Sequence, residues 1–301
     1  MSVDNAGVTG EQRRLINLAY RMLGSLSEAE DVAQETYARW FAMSDDDRKS
    51  IDSPAAWLTT VASRICLTLL GSARARRERY VGEWIPEPLA DRAEWRDERI
   101  GARPIDPADR VTLDESVNLA LLVVLDSMTP AERVAFILHD VFRYSFAEVA
   151  EIVGRTPAAC RKLASSGRRR VSAAQAPAPP SAKRAEIVRK FKTAWEAKDI
   201  HALIGLLDPD ATATADGGGL AVTFLRPIHG GAPIAHAWVE IAKRATSDMR
   251  VLERTVNGQP GLVALQNGVT VTVFAFDIAG DRIKNIWVVR NPEKLRGWPA
   301  A

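Results

Sequence analysis

Apolar positions in the first eighty residues recur at helical spacing. Leu15, Ile16, Leu18, Ala19, Met22 and Leu23 share one face, and so do Val32, Ala33, Thr36, Tyr37, Trp40 and Phe41. This is the pattern of helices that each bury a single stripe. Ser27 with Glu30 reads as a capping box at the start of the second helix. Ser53-Pro54 reads as the cap and first-turn proline of a third, carrying Trp57, Leu58, Val61, Ile65 and Leu69. Three more starts follow downstream: Thr129-Pro130-Ala131-Glu132, Ser145-Phe146-Ala147-Glu148 and Thr156-Pro157. Beyond Ser181 the period changes. A helix near Lys183 to Lys198 gives way to segments such as Val269, Val271 and Val273 alternating with Thr270 and Thr272. Asn257-Gly258, Asn267-Gly268 and Gly280-Asp281 supply hairpin turns between such segments. The pattern predicts two helical units followed by an α+β unit with a meander sheet.

Two stretches break the periodicity. Residues 80–110 hold four prolines and 13 charged residues, a composition that does not sustain a helix and reads as a linker. Residues 173–181, AAQAPAPPS, are uncharged and Pro-rich. The expected organisation is a helical domain over 1–79, a linker over 80–110, a second helical domain over 111–172, a linker over 173–181 and the α+β domain over 182–301.

Composition narrows the class without naming it. Hydrophobic residues at 47% and charged residues at 26% match a soluble globular protein. The apolar run Leu119 to Leu125 is too short to cross a bilayer, and the N-terminus lacks the pattern of a secretory signal. Two cysteines, Cys66 and Cys160, placed in separate domains, exclude a disulfide framework. The expectation is a cytoplasmic protein with no membrane partner. A net charge of +2 decides nothing. Its placement does, because Arg74, Arg76, Arg77 and Arg79 close the first domain, while Arg155, Arg161, Lys162, Arg168, Arg169 and Arg170 follow one another with no acid between them.

The second cluster lies in FAEVAEIVGRTPAACRKLASSGRRRV, Phe146 to Val171. Ala150 is small where two helices cross, Gly154 supplies the positive φ that ends the first, and Thr156 restarts the second. Val149, Val153, Cys160 and Leu163 are expected to fall inward, and Ala158, Arg161, Lys162 and Ser165 outward. Such a helix suits the major groove, where Arg or Lys donates to guanine, with Arg155 and Arg168 holding phosphates. A solvated helical hairpin is the plainer alternative.

On these residues the chain resembles an extracytoplasmic-function (ECF) RNA polymerase sigma factor of the SigJ-like group, which carries a C-terminal SnoaL-like domain. SEAEDVAQETYARWF, Ser27 to Phe41, resembles sigma region 2, which implies core polymerase binding at the clamp helices of the largest subunit through Asp31, Gln34, Glu35 and Trp40. SPAAWLTTVASRICLTLLGSARARRERY, Ser53 to Tyr80, resembles the part that melts the minus-ten element. There an aromatic must stack an unpaired base and arginines must hold a strand, which implies Trp57, Arg64, Arg74 and Arg76. ESVNLALLVVLDSMTPAERVAFILHDVF and the helix-turn-helix resemble sigma region 4, which contacts the polymerase flap and reads the minus-thirty-five element, implying Arg155, Thr156, Ala158, Arg161, Lys162, Ser165 and Arg168. YVGEWIPEPL, ADGGGL and NPEKL extend the resemblance through the subgroup's C-terminal domain. Thr68, Gly71, Ser166-Gly167 and Leu220 depart from the family pattern.

The implied architecture is multidomain: a region 2 helical bundle, a region 4 helix-turn-helix domain and an α+β SnoaL/NTF2-like cone, a curved sheet wrapped over helices. Enzymes of that fold use an acid or a histidine, so Asp216, His229 and His236 come into question. Their spacing assigns no catalytic role, and no cofactor or metal is expected. The reading is an alternative sigma factor that performs no covalent chemistry and is modulated in cis by its SnoaL-like domain. The contacts expected to carry that modulation involve Tyr80, Trp84, Pro86, Asp216, Gly217, Gly218, Asn291, Pro292 and Lys294. The alternative is a DNA-binding module fused to a catalytically active SnoaL-like enzyme. The pocket of the fold is also where an unidentified small ligand would sit, although no residue pattern points to one.

Overall fold

A computed structural model describes residues 5–77, 80–91, 94, 117–174, 179–244, 246 and 248–300. Their contacts divide them into two units, one from residues 5–77 and 121–174, the other from 80–91, 94, 117–120 and 179–300.

The first unit is helical: α1 (Asn5–Leu23), α2 (Leu26–Ala42), α3 (Asp45–Lys49) and α4 (Pro54–Arg77), then α5 (Leu119–Asp126) from its third residue on, α6 (Pro130–Phe136), a π-helical turn Ile137–Val141, α7 (Phe146–Val153) and α8 (Pro157–Ala174). Leu15, Leu18, Ala19, Tyr20 and Met22 of α1 are buried, as are Ala29, Val32 and Ala33 of α2 and Leu58, Ala62 and Cys66 of α4. The stretch Pro54–Ser72 is long and apolar enough by composition to cross a membrane, at mean hydropathy 1.2. Its buried positions nevertheless fall at helical spacing inside this bundle, with Arg64 exposed among them. Burial holds the Cys66 thiol protonated by raising its pKa, with Glu28 adding to the effect.

Local chemistry sets the ends of the helices. Thr129 with Glu132 and Ser145 with Glu148 both form reciprocal capping boxes, and Thr156 Oγ1 accepts from the Ala159 N–H at 3.2 Å. The start of α2 differs from the expectation. Ser25, not Ser27, is the cap, accepting from the Glu28 N–H at 3.4 Å. Gly24, at φ 73°, turns the chain one step earlier and so brings Ser25 to the helix entrance. The short α3, which the apolar pattern does not announce, is capped by Ser44.

The second unit contains α9 (Ser181–Glu196), α10 (Ile200–Leu206), β1 (Leu207–Asp216), β2 (Ile228–His229), α11 (Gly231–Lys243), β3 (Met249–Val256), β4 (Gln259–Gln266), β5 (Val269–Ala279) and β6 (Arg282–Val289). The sheet order is β2-β1-β6-β5-β4-β3. β3 to β6 form the expected antiparallel meander, with Asn257-Gly258 and Asn267-Gly268 at positive φ in the turns. β1 pairs parallel to β6, a partnership that lies far apart in sequence. A register shift between Ala264 and Leu265 breaks the simple alternation of β5, so Thr270 and Thr272 are buried while Val269 is exposed.

One sheet face packs on α9, α10 and α11 through Phe191, Trp195, Trp238, Phe274 and Phe276, whose rings meet edge-on at 5.3 to 6.2 Å. The other face carries the cross-strand row Val263, Val273 and Val289. All three valines are buried.

Candidate functional site

The residue that organises this second face is Asp216, the last of β1, level with Val289 of β6 and fully buried. Its Oδ1 accepts from the Tyr80 hydroxyl at 2.5 Å, and its Oδ2 accepts from the Ile85 N–H at 2.9 Å and from Lys294 Nζ at 2.6 Å. Lys294 Nζ also donates to the Ile85 carbonyl at 2.5 Å. It lies 4.2 Å from the centre of the Trp84 ring and 5.3 Å from that of Tyr80. Asn291 Nδ2 donates to the Tyr80 oxygen at 2.8 Å, while the Arg290 and Asn291 N–H groups donate to the Asp216 carbonyl. A buried carboxylate is costly unless it is paired and fully hydrogen-bonded. Here the segment at 80–85 supplies two of the three donors to that carboxylate.

Backbone shape supports the same cluster. Gly218 sits at φ 61°, and a Cβ there would run into the Asn291 side chain. A Cβ on Gly217 would meet the Ala221 carbonyl. Pro86 is buried, whereas Pro292 is exposed and its carbonyl accepts from the Leu295 N–H at 3.3 Å. Burial raises the Tyr80 pKa, and the neighbouring carboxylate of Asp216 raises it further.

The chain docks beyond the residues singled out in the sequence. The Trp298 indole donates to the Pro88 carbonyl at 2.9 Å. Leu89 and Asn257 exchange two hydrogen bonds, Ala90 bridges to Val256, and Glu94 accepts from Thr255. Asn257 was legible only as a turn residue, because a side chain that binds a distant extended segment leaves no local pattern.

Asp216 does not form an acid–base pair with either histidine in question. His229 is exposed with Nδ1 3.3 Å from Thr212 Oγ1, and His236 is exposed with Nδ1 on the Ala232 carbonyl. Leu220 is 64% exposed.

In the helical unit, Asp31, Gln34 and Glu35 are exposed along α2, with Glu35 bound to Arg39 at 2.8 Å. Trp40 and Trp57, expected in different roles, touch each other at 5.2 Å and are half-buried. Arg64 donates to the Glu151 carbonyl of α7 at 3.1 Å. The side chains of Arg74 and Arg76 lie outside the described residues.

On α8 the buried positions are Cys160, Ala164 and Gly167. Leu163, expected inward, is only half-buried, because the stripe follows i, i+4, i+7 from Cys160. Arg155, Thr156, Ala158, Arg161, Lys162 and Arg168 are exposed, while Ser165 is half-buried. Arg168 pairs with Asp140 at 3.0 Å and Arg170 with Glu132 at 4.0 Å. Arg161 lies 5.2 Å from the centre of the Phe146 ring.

Residues 8–76 match the family model for sigma-70 region 2, and residues 118–171 match that for sigma-70 region 4. The ECF RNA polymerase sigma factor SigJ of Mycobacterium tuberculosis is 34% identical over 96% of this chain and 92% of its own. The chain belongs to the ECF RNA polymerase sigma factors. The probable ECF sigma factor SigI of the same species is also 34% identical, over 93% of this chain and 91% of its own. The crystal structure of M. tuberculosis SigJ superposes with a TM-score of 0.77 at 31% identity, covering 98% of this chain and 99% of that one. This sigma factor therefore joins helical region 2 and region 4 domains to a C-terminal SnoaL-like mixed-sheet domain. It is an alternative sigma factor that directs transcription initiation, binding RNA polymerase and DNA.

Proposed function

We propose that this sigma factor is modulated in cis by its SnoaL-like domain, which captures the segment joining its two promoter-reading regions. The observation that carries the reading is the Asp216 cluster. Region 2 ends at residue 76 and region 4 begins at residue 118, and the segment at 80–91 between them is bound to the C-terminal domain through Asp216, Lys294, Asn291, Asn257 and Trp298.

In this reading the exposed α2 face at Asp31, Gln34 and Glu35, with Trp40, meets the clamp helices of core polymerase, and region 4 meets the flap. Trp57, Arg64, Arg74 and Arg76 act at the minus-ten element. Arg155, Thr156, Ala158, Arg161, Lys162, Ser165 and Arg168 act at the minus-thirty-five element. The protein works in the cytoplasm, and its C-terminal domain regulates rather than catalyses, since both Asp216 oxygens are engaged in holding chain.

The test is transcription in vitro with purified core polymerase on genomic fragments, comparing the full chain with a version ending at Ser181. Discrete polymerase-dependent starts whose strength or choice differs between the two versions support the reading. Identical output from both removes the regulatory role. Trp84→Ala and Asp216→Ala in the full chain should shift output in the same direction as the truncation.

A further inference from the structure

Three unusual features meet at the entrance of the helix-turn-helix. The chain leaves α6 through the π-helical turn Ile137–Val141, whose extra residue per turn rotates His139 out of the α-helical phase. Arg143 then takes φ 64°, a left-handed conformation that non-glycine residues rarely adopt. Next, α7 opens on Phe146, held by the Ser145 and Glu148 capping box. Uncommon backbone of this kind persists only where the surroundings enforce it.

Together these features form a stack. The His139 imidazole lies 3.8 Å from the Phe146 ring with planes 24° apart. It is oriented by Nδ1 donating to the Tyr144 carbonyl at 2.8 Å. The Arg161 guanidinium lies over the same Phe146 ring at 5.2 Å from its centre. The basic residues further along α8 are held differently: Arg168 and Arg170 by carboxylates, and Arg169 by the Ser165 hydroxyl. No ion pair holds Arg161 among the described residues. A cation over an aromatic face keeps its in-plane N–H donors unspent, which is the state required for a bidentate contact to guanine.

We propose that Phe146, clamped by His139, is a positioning residue for promoter recognition: it holds the Arg161 guanidinium over its ring, so that Arg161 meets the minus-thirty-five element already oriented. The inference rests on the reading that Arg161 contacts a base. It goes further by assigning the selectivity of that contact to a side chain that does not touch DNA.

The experiment uses the full chain with core polymerase on a promoter library randomised across the minus-thirty-five element, read by transcript abundance. Arg161→Ala should flatten the base preference at one or two positions. Phe146→Leu should weaken preference at those same positions by about two- to fivefold, the scale of one exposed cation–π contact, with minus-ten preference unchanged. Phe146→Tyr should retain the preference. The double variant should be no worse than Arg161→Ala alone. If Arg161→Ala flattens the preference and Phe146→Leu leaves it intact, or if the two effects simply add, the positioning role is overturned. If Arg161→Ala changes no preference, the underlying reading of α8 fails instead. Should Phe146→Leu not fold, the wild-type proton spectrum decides: Arg161 side-chain protons shifted upfield by the ring support the stack, and unshifted ones overturn it.

Discussion

Asp216 and Lys294 show how strongly one residue depends on its partner. Lys294 Nζ and the Asp216 carboxylate, 2.6 Å apart, have side chains 10% and 0% exposed. Removing one charge leaves the other buried and uncompensated, so Asp216→Ala should cost about 3–5 kcal/mol of C-terminal unit stability in a denaturant melt. Tyr80→Phe should cost about 1.5–3 kcal/mol, the scale of a hydrogen bond lost from a buried charged acceptor. It should also change the alkaline limb of the pH profile. Tyr80 stays neutral in the folded chain beyond its ordinary value of 10.0, whereas in the unfolded chain it ionises near that value. The unfolded state therefore binds fewer protons above about pH 10, and stability falls as pH rises from there. Tyr80→Phe should flatten that fall in thermal melts taken between neutral and alkaline pH. The residues of this cluster were legible from ADGGGL, NPEKL and YVGEWIPEPL as segments that belong together. Which atoms meet was not, because Asp216 followed by three glycines reads locally as a turn.

Two glycines that depart from the family pattern divide sharply at the level of the helices. Gly71 lies within α4, and a Cβ there meets nothing within 4 Å. Gly71→Ala should therefore stabilise the helical unit by roughly 0.5–1 kcal/mol, through lower backbone entropy in the unfolded chain. Gly167 lies where α8 crosses α6, and its Cβ would fall 2.9 Å from the Phe136 Cβ. Gly167→Ala should lower the melting temperature and, by shifting α8, weaken DNA binding as well. Calorimetry on the two variants reads both signs. Helix starts were legible wherever a Ser or Thr, a first-turn proline and a Glu three residues on coincide, as at Thr129. At α2 the Ser27-Glu30 motif pointed to the wrong serine, because the positive φ of Gly24 brings Ser25 to the helix entrance. The parallel pairing of β1 with β6 was not legible, since the two strands lie far apart in sequence and no hairpin turn joins them.

In the second unit, the buried row Val263, Val273 and Val289 lies on the sheet face opposite the Phe191, Trp195 and Trp238 core. Asp216 ends β1 level with Val289, and it binds the segment at 80–85. A fragment covering 182–301 alone should thus expose an apolar surface and self-associate in sedimentation, even though composition reads that span as a domain. Separate pieces of sequence make one folded unit because Tyr80 and Ile85 satisfy Asp216, and because Pro88 and Leu89 satisfy Trp298 and Asn257. Control of promoter use by this docking, as proposed above, is open to experiment at Asp216 itself. Its most direct test is in vitro transcription by holoenzyme reconstituted with the full chain or with Asp216→Asn, after a melt has shown the variant folded. A several-fold change in transcript level or start choice is expected, in the same direction as for the version ending at Ser181. Unchanged transcription from a folded Asp216→Asn protein would contradict it.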